Sequence, residues 1–90
     1  MATPLSIPRI HSNGTWLADL AAYNTDTGIN ITAAMESLGR AAPNARDFSI
    51  IGPDAFREAQ KQHEARMEKL RSVRQELELI IEGIMAQEPR

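Results

Sequence analysis

From Pro53 to Ala86 the chain keeps one apolar pattern without a break. Phe56, His63, Leu70, Leu77 and Ile84 stand seven residues apart. Ala59, Val73 and Ile80 fill the alternate positions, with Met67 and Ile81 beside them. A mean spacing of 3.5 residues matches the turn of an α-helix and not the alternation of a strand, so the stretch is a long helix with one apolar seam of coiled-coil type. Its start is marked as well. Gly52 suits the N-cap, Pro53 the first helical position, and Asp54 and Glu58 the positive end of the helix dipole.

A second helix is expected upstream, over about residues 15–42, with Thr15 as its N-cap. Leu17, Leu20, Ile31, Ala34, Leu38 and Ala41 fall on one stripe, flanked by Trp16, Tyr23 and Met35. Its middle, NTDTGINIT, contains a glycine and many poor helix formers, each costing roughly 0.5–1 kcal/mol against alanine. The seven-residue spacing of Leu17, Asn24, Ile31 and Leu38 nevertheless runs through it. One helix with a strained or kinked middle is the reading, and two short helices are the alternative.

At 1.5 Å per residue the two helices are about 42 and 51 Å long. Helices of such similar length, joined by a short connection, form an antiparallel hairpin. The fold class is therefore all-α: a coiled-coil-like two-helix hairpin over residues 15–90, behind an extended N-terminal arm over residues 1–14. Helix 1 covers about 15–42, a plug loop 43–52 and helix 2 about 53–86. The arm follows from Pro4 and Pro8, which fix φ and remove backbone donors, with Leu5, Ile7 and Ile10 free to lie on a neighbouring surface. Asn13-Gly14 is a turn signal, and His11 is expected to anchor the arm by a hydrogen bond. In the loop, Phe48, Ile50 and Ile51 are expected to fold back over the end of the helix pair.

Several of these segments share a pattern with a known group. Ile10, His11, Asn13, Gly14 and Thr15 precede helix 1. Ala41 to Asn44, Arg46, Asp47 and Phe48 form the turn, and Gly52, Pro53, Ala55 and Phe56 open helix 2. In this the chain resembles small proteins encoded by bacteriophages and prophages, over about three-quarters of its length. It departs from them at NTDTGINIT, where they are more helix-prone. The resemblance implies a viral accessory setting and the same hairpin, and it brings no activity or functional residues with it.

Charge is distributed unevenly along helix 2. Arg57, Lys61, Arg66, Lys69, Arg71 and Arg74 outweigh Glu58, Glu64 and Glu68 over residues 57–74, a net of +3. Residues 75–88 carry Glu76, Glu78, Glu82 and Glu88 with no base, a net of −4. This order opposes the helix dipole, which favours acids at the start and bases at the end. Two such helices packed antiparallel would set each basic half on an acidic one. With no cysteine and 4 % aromatic residues, a single hairpin also has little to stabilise it. A homodimer forming a four-helix bundle is therefore expected, burying Met67, Ile80, Ile81 and Met85 with Trp16, Tyr23 and Met35. A monomer whose arm covers that face is the alternative.

Chemistry finds little support. His63 at a seam position reads as structural rather than as half of a paired metal site, and His11 has no nucleophile or cysteine partner. NTDTG fails as a calcium loop, because placing Gly28 at the sixth position puts Tyr23 first and Ala34 last, where carboxylates are needed. No phosphate-loop, zinc-protease or nucleophile-elbow motif occurs. No catalytic residue, cofactor or metal is expected. Asp47 and Asp54 are expected to pair with Arg46 or Arg57. The N-terminus lacks an apolar run of signal-peptide length and no stretch suits a membrane span, so a cytoplasmic protein is expected and the sequons at Asn13 and Asn30 are chance matches.

The function expected is a non-enzymatic, self-associating protein–protein interaction module, whose partner is another copy and a virion or host protein. The contacts are assigned to Phe48, Ile50, Ile51, Arg66, Met67, Arg74, Glu78 and Ile81. The alternative is nucleic-acid binding by the basic stretch 57–74, against which stand its three glutamates and the overall charge of −2.

Overall fold

The computed structural model describes residues 3–88. Residues 1 and 2 of the expected arm, and residues 89 and 90 at the end of the expected hairpin unit, lie outside the described residues. Two helices, α1 (Leu17–Arg40) and α2 (Pro53–Met85), pack against each other and are joined through a short 3-10 turn at Ala45–Phe48. No strand occurs among the described residues. The molecule is a rod of 62 × 30 × 20 Å.

The weak middle of α1 is helical without interruption. Three of its polar side chains bond the carbonyl one turn back instead of competing with the helix: Asn24 Nδ2 to Leu20 O at 2.8 Å, Thr27 Oγ1 to Tyr23 O at 2.8 Å, and Thr32 Oγ1 to Gly28 O at 3.1 Å. Asn24, Gly28, Ile31 and Thr32 are also half-buried along the helix. Tertiary packing therefore offsets poor local propensity here. Trp16, not Thr15, is the N-cap, and it makes no side-chain capping bond.

α2 begins as expected, with Pro53 at its first position behind Gly52, whose φ of 114° is in the region that favours glycine. Phe56, His63, Leu70, Leu77 and Ile84 all lie on the partly or fully buried face. Three seam positions do not. Ala34 on α1 and Ala41 at its C-cap are exposed, and Val73 on α2 is 45 % exposed. A strict seven-residue repeat drifts about 20° per heptad around a straight 3.6-residue helix, so alternate positions rotate off the contact.

The loop reading needs a larger correction. Phe48 does turn inward, its ring centroid 6.0 Å from that of Phe56 at a 44° tilt. Ile50 and Ile51 do not follow it; they are 98 % and 71 % exposed. The Asn44 side chain accepts the Arg46 N–H at 2.8 Å, and the N–H groups of Ile51 and Gly52 donate to Phe48 O at 3.1 and 2.9 Å. These bonds wind the loop into tight turns that leave the two isoleucines at the tip of the rod.

The other end of the hairpin is where burial is complete. Ile84 is the single fully buried residue among those described. The arm lies against α2 here. Gln87 accepts the Ile10 N–H at 2.9 Å through Oε1 and donates through Nε2 to Pro8 O at 2.8 Å. Ile7 packs so closely on Gly83 that an added Cβ there would stand 2.8 Å from Ile7 Cγ2. His11, expected to anchor the arm, instead folds its ring onto Gly14 within the turn.

Candidate functional site

A groove of about 240 Å³ lies between the middles of the two helices. From α1 come Asn24, Thr25, Gly28, Ile29 and Thr32; from α2 come Arg74, Leu77, Glu78 and Ile81. Gly28 contributes no side chain to the groove's α1 wall, and a Cβ built there meets nothing within 4 Å. Its floor is apolar. Its rim carries Arg74, whose guanidinium donates to Thr32 Oγ1 at 3.3 Å across the helices, and the exposed Glu78 one turn further on. Ile29 stands at the edge, 62 % exposed.

Three of the expected contact residues, Arg74, Glu78 and Ile81, are brought together in this groove. The others are spread along the rod. Arg66 lines a shallow recess at the loop end with His63, Asp47 and Phe48. Met67 is half-buried on α2, and Ile50 and Ile51 form the bare tip. Gly28 and Ile29 were not foreseen as contact residues, since in sequence they sit in what looks like the least ordered part of α1. An exposed isoleucine next to a glycine in a run of threonines and asparagines was the available signal.

The basic stretch is partly committed within the chain. Arg57 pairs with Asp54, as expected for that pair, and Arg71 bonds Glu68 at 2.7 Å and Glu64 at 3.0 Å. The hydrogen bonds that Arg71 donates to Glu68 and Glu64 hold its guanidinium above its ordinary pKa. With Arg74 turned onto Thr32, three of the six bases point to neighbours rather than outward. Such a surface gives few free cations to track a phosphate backbone.

Among the described residues no group of three His, Cys, Asp or Glu is placed to hold a metal ion, and no helix is long and apolar enough to cross a membrane. Comparison with protein-family models, with curated proteins and with solved structures finds no match.

Proposed function

We propose that the protein is a non-enzymatic interaction module that associates with itself and presents apolar surface to a further protein. The observation that carries this is its surface. A compact monomer of 10.0 kDa exposes about 5,200 Å² by the usual scaling with mass, whereas this chain exposes 7060 Å². The surplus, roughly 1,800 Å², exceeds the ~800 Å² that each partner contributes to a standard interface. Apolar side chains make up part of it. Trp16, Tyr23 and Ile29 are each more than 60 % exposed on α1 or its cap, as are Ile50 and Ile51 at the tip.

The tip is suited to a second partner, because Ile50 and Ile51 contribute little to the hairpin and lie far from the groove. In the viral setting that the motif resemblance suggests, that partner is a virion component or a host protein. Sedimentation over a wide range of concentrations tests the self-association. The expected species has twice the 10.0 kDa chain mass; a single-chain mass throughout would overturn the proposal.

A further inference from the structure

We infer that two copies stack groove to groove, antiparallel, about a two-fold axis that crosses α2 at the level of Glu76. This rests on the self-association proposed above and adds to it the face, the register and the pairs. Arg74 and Glu78 stand one turn apart on the groove's rim, equidistant from residue 76. An axis between them, at right angles to α2, lays Arg74 of each copy on Glu78 of the other. Glu78 takes no part in the ion pairs among the described residues, which are Arg57–Asp54, Arg71–Glu64 and Arg71–Glu68.

The same operation accounts for two other features. It sets the basic half of each α2, residues 57–74, along the acidic half of the other, residues 75–88. A charge order that opposes the dipole within one helix becomes complementary between two. Met67 and Met85, also equidistant from residue 76, meet across the contact; the first is half-buried and the second 40 % exposed. On α1, the bond between Arg74 and Thr32 puts the axis close to Asn30. Ile29 of each copy therefore faces Ile31 of the other, and Gly28 faces Thr32. A two-fold contact must be self-complementary, and here each base has its acid.

The test is sedimentation of the full chain and four samples: Arg74→Glu, Glu78→Arg, an equimolar mixture of those two, and Gly28→Leu. Each single charge change breaks two symmetry-related pairs, so the dimer should weaken by roughly tenfold or more. The mixture should recover it, since acid again faces base at both sites. Gly28→Leu adds bulk to the groove face opposite Thr32 of the other copy, and it too should weaken the dimer. Glu78→Arg alters an exposed side chain with no bond to lose, so its effect does not depend on the fold surviving. If the wild-type chain dimerises and all four samples behave like it, this face is not the interface, although self-association stands. Loss in both single variants without recovery in the mixture overturns the pairing. A monomeric wild-type chain at every concentration removes this inference together with the reading beneath it.

Discussion

Gln87 holds Ile10 by its backbone. Its Oε1 accepts the Ile10 N–H at 2.9 Å, while its Nε2 donates to Pro8 O at 2.8 Å and to Gly83 O at 3.2 Å. One side-chain amide thus serves the donor and the acceptor of an extended segment, much as a neighbouring strand would. Proline at position 8 has a carbonyl to offer and no N–H to leave unpaired. Gln87→Ala should release the arm at a cost of about 1–2 kcal/mol, since each neutral hydrogen bond is worth ~1 kcal/mol net. Hydrogen exchange reads this directly: the Ile10 amide should lose its protection, and unchanged protection would show that the clamp does not hold the arm.

Two glycines should respond in opposite ways to the same change. Gly28→Ala adds a Cβ into open space in mid-helix, so stability should rise by about 0.5–1 kcal/mol. Gly83→Ala makes the same gain in propensity but drives its Cβ to 2.8 Å from Ile7, displacing the arm. Overpacking of that kind costs roughly 1–3 kcal/mol, so the net sign should be destabilising. Denaturation midpoints of the two variants, compared with wild type, decide it.

At the loop, Ile50→Ser with Ile51→Ser should leave the melting temperature almost unchanged, within the ~0.5 kcal/mol typical of surface sites. Phe48→Ala should lower it clearly, because that ring is half-buried against Phe56. A large drop from the isoleucine pair would mean that the tip is packed rather than bare.

Ile84→Ala should be the most damaging truncation in the seam. It removes the one fully buried side chain among the described residues and should cost about 2–5 kcal/mol. Val73→Ala, at a side chain 45 % exposed, should cost distinctly less. Urea denaturation followed by far-ultraviolet circular dichroism would rank the two.

The hairpin was legible because a repeat over α2 as regular as Phe56, His63, Leu70, Leu77 and Ile84 admits no other backbone, and because Gly52 and Pro53 mark its start chemically. The groove was only half legible. Arg74, Glu78 and Ile81 stood out on α2 by charge and period, whereas Gly28 and Ile29 were hidden in a run whose composition argues against a helix. The plug failed for a local reason. Apolar character in Ile50 and Ile51 says that burial would be favourable, but turn hydrogen bonds around Phe48 and Asn44 dictate which way each side chain points.

Sequence alone determined the two helices, their antiparallel order and the bare fact of an extended arm, because these follow from period, proline and chain length, which are local. Only the tertiary structure decided that the arm packs on α2 beside Ile84, the one fully buried residue among those described, and that α1 stays helical through its weakest segment. Both depend on contacts between residues far apart in the chain, Ile7 with Gly83 and Gln87 with Ile10 for the arm, Arg74 with Thr32 for α1, and no local pattern encodes such contacts.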